Sequence, residues 1–370
     1  KRYRGTLRLL SGVHLSGSSA EPAIRYAIDR KAQCAYVLKE SFLARNLGRI
    51  TPDEMTRKPF DIARLPRDPG VREKAVAYRL DLTEAGAKLD REVRPFVRDA
   101  WGRAYIPGSS LKGVFRQALV FDHLMQDETR RDRIRQTCRN LLDKMGRVTR
   151  DNIGQIRSWN KRDGQEVARG LEALLRSSQQ EFGGIGPHSD LLRGVRVGDT
   201  VPAQAPLTLC KVGVAVPMPD VPGIQMQPKM PQVFLERMDP GTELSFDLDL
   251  DVPLLERLSA GTSIQMRDGY DLLAALENQQ NWVLPLEKAF LESRGALDDL
   301  WRDSFENLRE GEVLLRLGWG CGWMGHSLFP LLGYDEGAVP TSPKSRKMGL
   351  DEKGKPRSLL GYVALKLEER

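Results

Sequence analysis

The chain has 370 residues, 40% of them hydrophobic and 29% charged, with 57 Lys plus Arg against 50 Asp plus Glu. That supplies a core for one large elaborated domain or two and excludes a globally disordered chain. The net charge of +7 is diluted, so where the cations cluster matters more than their sum. No apolar run approaches the roughly eighteen residues of a membrane span, and the opening Lys1-Arg2-Tyr3-Arg4 leads into Gly, His and Ser rather than a secretory core.

In chain order, Thr6 to Val13 alternates weakly and predicts a first strand, ending in a Gly/Ser-rich turn over Ser11 to Ala20. Tyr26 to Leu38 predicts two short strands around a turn at Asp29 to Lys31, and Ser41 begins a short helix. Thr51 to Gly70 is Pro-rich and basic, a loop or projecting segment, and Val71 to Leu82 alternates as a strand. A helix follows Tyr105. Phe121 to Gln180 is charged and mostly helical by pattern, and Val201 to Gly241, with eight prolines, predicts strands and long loops. Phe246, Leu248 and Leu250 share one strand face. Tyr270 to Trp301 reads as helix, Glu312 to Leu317 as a strand before a glycine loop, and Leu359 to Leu367 as a closing strand. Strands and helices are interspersed with antiparallel hairpins, so the class is α+β rather than doubly wound.

The most informative stretch is YIPGSSLKGVFRQAL, residues 105–119. Pro107 favours an extended approach, Gly108 a tight turn, and Ser109 or Ser110 can cap the helix that follows. Leu111, Val114, Phe115, Ala118 and Leu119 make an apolar stripe, while Lys112 and Arg116, four apart, share the other face. Free N–H groups, hydroxyls and two cations at a helix N-terminus suit a phosphate chain. The same pattern also describes an ordinary capped amphipathic helix with a solvated basic face.

Arg316 to Ser327 reads RLGWGCGWMGHS. Its G-x-G-x-x-G lacks both the chain length of a dinucleotide fold and the ribose acid, since position 345 is Ser345. As a Walker loop it fails because His326 stands where Lys is needed. What remains is that Gly318, Gly320, Gly322 and Gly325 allow close backbone approach and an anion nest, and that Trp319 and Trp323 can stack on bases or pack in the core. Arg130, Arg131, Arg133, Arg135 and Arg139 form one basic cluster, for which a solvated helix face is the plain explanation. Lys344, Arg346 and Lys347 form a second, just past the glycine loop.

Catalytic signals are weak. His14 and His326 could run metal-free RNA cleavage if their loops meet, although a hydrogen-bonding role suits loop histidines as well. Asp29 lies in a turn, where Asp is favoured for its own hydrogen bonds, and Asp199 can cap a turn. Cys34, Cys138, Cys210 and Cys321 are far apart and unpaired in spacing, so no metal site, cofactor or disulfide framework is expected and a reducing cytoplasm fits.

Taken together and in order, these segments resemble the RAMP superfamily of CRISPR effector proteins, most of all the type III-A (Csm complex) subunit that caps the 3′ end of the guide RNA. The resemblance is carried by LRLLSGVHLSGS (7–18), YIPGSSLKGVFRQAL, LLRGVRVGDT (191–200), FLERMDPGTELSF (234–246), LRLGWGCGWMGHSL (315–328), PKSRK (343–347) and LLGYVALKL (359–367). Gly12, Gly198 and Leu360 depart from it, standing where Pro, Ser and Pro are usual. It implies an α+β fold with a ferredoxin-like (RRM-like) core and signature helix in 1–120, a helical insertion in 121–190 and a second α/β portion with the glycine loop in 191–370. It also implies a non-catalytic guide-RNA-binding and capping subunit of a type III CRISPR ribonucleoprotein in antiviral defence. Its partners would be the guide RNA, target RNA through the guide, and other effector subunits, with no membrane. The RNA-binding residues expected are Gly108, Ser109, Ser110, Lys112, Arg116, Gly320, Gly322, Trp323, His326, Lys344, Arg346 and Lys347. The alternative is a RAMP-family ribonuclease, either a target-cleaving backbone subunit using Asp29 or a guide-processing endoribonuclease using His14 or His326.

Overall fold

Alternation in RYRGTLRL puts Tyr3, Leu7 and Leu9 on one face, and that face is buried: strand β1 spans Arg2–Leu9, a few residues earlier than expected. The computed structural model describes residues 1–46, 48, 50–51, 58–145, 171, 173–182, 186–203, 206–215, 232–292, 308–321 and 346–370. The expected hairpin forms from β2 (Tyr26–Asp29) and β3 (Cys34–Leu38), its turn held by Asp29, whose carboxylate accepts from the N–H groups of Lys31 and Ala32 at 3.1 and 3.0 Å. Helix α1 (Glu40–Asn46) follows.

The stretch Val71 to Leu82 is not one strand. Helix α2 (Pro69–Ala75) occupies its first part, because Asp68 caps the Val71 N–H at 2.9 Å and Pro69 sits in the first turn, where its missing N–H costs nothing. Strand β4 is Val76–Leu82, and β5 is only Val93–Arg94. Helix α3 (Gly108–Gln126) is the helix expected after Tyr105, and α4 (Glu128–Met145) falls in the charged helical tract. Then come β6 (Val195–Val197), β7 (Thr208–Ala215), β8 (Val233–Arg237) and β9 (Glu243–Leu250). Helices α5 (Val252–Ser259) and α6 (Gly269–Glu292) precede β10 (Val313–Arg316), β11 (Arg346–Leu350), β12 (Pro356–Ser358) and β13 (Tyr362–Glu369).

The fold is α+β, with two sheets. One has the strand order β10-β13-β1-β9-β6 and is antiparallel throughout. The other runs β12-β11-β7-β4-β3-β2, with β8 on β7 and β5 on β8; β4 with β7 and β5 with β8 are parallel. Each sheet draws strands from before residue 120 and after residue 191, so the segments expected as a first core and a second portion are interleaved. One large core joins them. Leu111, Phe115 and Ala118 of α3 and Leu272 and Leu276 of α6 pack in the same cluster as Leu7, Phe246, Leu248 and Leu365. Each such leucine or phenylalanine contributes about 1.5–3 kcal/mol by leaving water. Phe121 meets Trp282 edge-on at 6.0 Å and ties α3 to α6.

Candidate nucleic-acid interface

The N-terminus of α3 is already occupied. The segment 190–200 runs along it and supplies four acceptors to it and to the residues just before it. Thr200 Oγ1 accepts from the Ile106 N–H at 2.9 Å, and Asp199 Oδ1 from the Gly108 N–H at 2.8 Å. Val195 O accepts from Lys112 Nζ at 2.8 Å, and Asp190 Oδ2 from Arg116 at 2.7 Å. The anion at this helix N-terminus is therefore the chain's own Asp199. Gly108 is required because a Cβ there would lie 2.2 Å from Val197 O. Burial holds the Lys112 ammonium below its ordinary pKa, with Arg116 adding to that and Asp190 opposing it. Ser109 is exposed and Ser110 half-buried. The shared face of Lys112 and Arg116 thus meets residues 190–195 rather than open solvent.

A second locus forms where the two sheets meet. The loop after β1 is clamped from three sides: Val13 bridges Met238, Gly12 bridges Leu360, and Ser16 bridges Phe96 beside β5. The loop after β10 closes over it. Gly318 has φ +86°, and a Cβ there would meet His14 O at 2.4 Å, so glycine serves a close approach between two protein loops. The Trp319 N–H donates to His14 O at 2.8 Å. Gly320 is buried beside Leu360 and Lys347.

The Trp319 indole rests on an apolar cluster of Cys210, Val212, Leu235 and Leu360. Lys347 Nζ lies 3.9 Å from its ring centre and the Arg94 guanidinium carbon 5.5 Å, while the His14 ring meets it edge-on at 6.2 Å. Burial lowers the Lys347 pKa first, and the neighbouring Arg94 charge lowers it further. Burial likewise pushes the His14 imidazole down to about 4, with Arg94 and Lys347 adding to the effect. His14 is fully buried, its Nδ1 is 2.7 Å from Glu236 O, and its Nε2 has no partner among the described residues. It is neutral at pH 7, so Nδ1 carries the proton donated to that carbonyl.

Beneath this locus lies Glu236, fully buried on β8. Its Oε1 accepts from the Tyr78 and Tyr26 hydroxyls at 2.7 and 3.3 Å, and its Oε2 from Arg98 and the Phe96 N–H at 3.0 and 3.1 Å. The Arg98 guanidinium also lies 3.5 Å from the Tyr78 ring centre. This hub braces the 93–98 segment that carries Arg94.

Of the residues expected to bind RNA, the structure brings Gly320 and Lys347 together here and leaves Gly108 to Arg116 on α3. Arg346, the neighbour of Lys347 on β11, is buried on the opposite side and pairs with Glu287 of α6 at 3.0 Å. Gly322, Trp323, His326 and Lys344 lie outside the described residues. Arg94, Trp319 as a cation holder, and Glu236 were missed. A charged residue directly after the apolar pair Phe234-Leu235 was the available signal for Glu236; β5 is too short to give one for Arg94. Among the described residues no group of His, Cys, Asp and Glu is placed to hold a metal, and no helix is long and apolar enough to cross a membrane.

Comparison with known proteins places the chain. The model of the RAMP superfamily matches residues 6–324. A curated relative, the CRISPR system Cms protein Csm5 of Streptococcus thermophilus, is 30% identical over 110 residues. That match spans 27% of this chain and 28% of the relative's length. A chain in the cryo-electron microscopy structure of a Csm–crRNA–target RNA ternary complex of a type III-A CRISPR-Cas system superposes with a TM-score of 0.65 at 20% identity, covering 98% of this chain and 100% of that one. The crystal structure of T. onnurineus Csm5 does so with a TM-score of 0.61 at 20% identity, covering 97% and 99%. With the family model spanning most of its length and the fold shared nearly end to end, this chain belongs to the RAMP superfamily.

Proposed function

We propose that the chain is a non-catalytic guide-RNA-binding and capping subunit of a type III CRISPR ribonucleoprotein effector in antiviral defence. It reaches target RNA through base pairing with the guide and contacts other effector subunits. The observation that carries this reading is the cationic locus at the junction of the sheets, built by strands β5 and β11 and the loop after β10, and held without a neutralising carboxylate among the described residues. Such a surface holds a nucleic-acid backbone by charge and leaves sequence to base pairing. The non-catalytic part is supported by His14, which is buried, and by Asp29, whose carboxylate is engaged in its own turn. A reducing cytoplasm suits Cys34, Cys210 and Cys321, all buried thiols.

The test is co-expression with the remaining subunits of its system and sequencing of the co-purified RNA. The expected result is a ribonucleoprotein whose guides lose their defined 3′ ends when this chain is omitted. Identical guides and assembly without it would overturn the reading. Incubation of the repurified chain with labelled RNA, with and without Mg²⁺, tests the other half; cleavage abolished by His14→Ala or Asp29→Ala would restore the ribonuclease alternative.

A further inference from the structure

Several sheltered cations elsewhere in this chain meet carboxylates. Arg8 pairs with Glu312, Arg98 with Glu236, Arg237 with Asp239 and Arg346 with Glu287. That is the expected arrangement, since a cation withdrawn from water without a partner is costly. Buried Arg316 meets the Tyr362 hydroxyl and Leu360 O instead, and Lys112 meets Val195 O. Arg94 and Lys347 have neither kind of acceptor among the described residues. Both are half-buried, both lie within 5.5 Å of one indole centre, and neither side chain forms an ion pair or hydrogen bond with a described residue. They come from different strands, β5 and β11, more than two hundred residues apart, and face the same ring. Two like charges brought together in this way destabilise the free protein, and a cation–π contact at a partly exposed site returns only about 0.5–1 kcal/mol.

The ring itself is not free to take a base. One flank of the indole rests on the Cys210, Val212, Leu235 and Leu360 cluster, and Lys347 sits 3.9 Å from its centre. The tryptophan is a post that fixes two cations. What the arrangement lacks among the described residues is negative charge, and what lies beside it is a loop of exposed small residues, Ser16 to Ser19, joined to the Arg94 segment by the Ser16–Phe96 bridge. Small side chains leave room for a polymer to pass.

We propose that Arg94 and Lys347, held on Trp319, form a clamp for a backbone phosphodiester of single-stranded RNA. This rests on the reading of the chain as an RNA-binding subunit and adds to it the atoms that take the phosphate. The clamp contributes charge and position but no base readout, so it accepts any sequence. It also makes the site a frustrated one: the free protein is more stable without the two charges, and RNA is what neutralises them.

The experiment uses the full-length chain and a fluorescein-labelled single-stranded RNA of mixed sequence, with anisotropy measured over a salt series. Arg94→Met and Lys347→Met keep the apolar stems and remove the charges. The double variant should bind at least tenfold more weakly at moderate salt. Its slope of log affinity against log salt should be shallower by about 0.7 for each phosphate that the variant no longer neutralises. Its urea midpoint should be equal to or above that of the wild type. Trp319→Leu should weaken binding in the same direction, and Arg94→Lys should restore most of it. A folded double variant with unchanged affinity and slope overturns the clamp while leaving RNA binding by the chain intact. A double variant with lowered stability and unchanged slope assigns the cations a packing role and overturns it too. A wild-type chain that binds no RNA at all overturns the clamp together with the reading beneath it.

Discussion

Replacing Glu236 tests how the interface is braced. The carboxylate is fully buried and accepts from two tyrosine hydroxyls, one backbone N–H and one guanidinium. In Glu236→Gln the amide can turn so that its oxygen still faces Phe96 and Arg98. Its NH₂ then faces Tyr26 and Tyr78, whose hydroxyls can accept as well as donate. The loss is chiefly the charge that balances Arg98, about 2 kcal/mol. Glu236→Ala strands all four donors and opens a void, and should cost about 4–5 kcal/mol. Arg98→Met alone leaves a buried anion with only neutral donors and should cost about 3 kcal/mol. Paired with Glu236→Gln it should cost less than the two single changes combined, because the second change removes a charge the first had orphaned. Urea denaturation of the four variants beside the wild type at neutral pH measures this directly. Additive costs, or Glu236→Gln as damaging as Glu236→Ala, would refute the picture of a charge-balanced hub.

Three further outcomes follow from the same geometry. His14 is neutral when folded, with its pKa pushed down to about 4 by burial. An unfolded histidine takes its proton near pH 6.5. Stability from this group is therefore complete above about 6.5 and lost as pH falls toward 4, a component on the order of 3 kcal/mol. Subtracting the pH–stability curve of His14→Asn should isolate it, and parallel curves would refute it. Arg116→Glu sets a second carboxylate against Asp190 and should lower the urea midpoint by about 1 kcal/mol equivalent, modest because the pair is partly exposed; an unchanged midpoint would mean the ion pair does not form. Gly108→Ala drives a methyl into Val197 O and should destabilise by about 1–3 kcal/mol, read as a lower melting temperature; wild-type melting would show that the close approach is absent.

Local pattern revealed elements whose residues decide their own geometry. The β2–β3 hairpin was legible because Asp29 makes its turn from within. Strand β9 was legible because Leu244, Phe246, Leu248 and Leu250 alternate onto a buried face. Helix α2 was misread as strand because its alternation outweighed the Asp68-Pro69 start signal, which is only two residues long. The order of strands within the sheets was not legible at all, since β1 finds its partners far along the chain, 243 residues onward for Arg4 with Asp247 and 364 for Arg4 with Glu368. The interface shares that limit. Lys112 and Arg116 share a face as their spacing requires, but spacing is silent on Asp190 and Val195 opposite them. Lys347 and Arg346 are neighbours that point to opposite fates, one to the indole and one to Glu287. Strand pleating says they diverge without saying which side is the surface.

The central position of β1 bears on how the protein is made. It leaves the ribosome well before β9 and β13, the strands that flank it in the sheet. At roughly 5–20 residues per second, the nascent chain carries β1 with both edges open for tens of seconds. Exposed edges of that kind recruit stray strands. Lys1, Arg2, Arg4 and Arg8 spread positive charge along this one, so two copies emerging from neighbouring ribosomes repel each other before they can pair wrongly. The basic character of this segment then does its service during synthesis, and in the finished fold Arg8 is left with Glu312 as its neutralising companion.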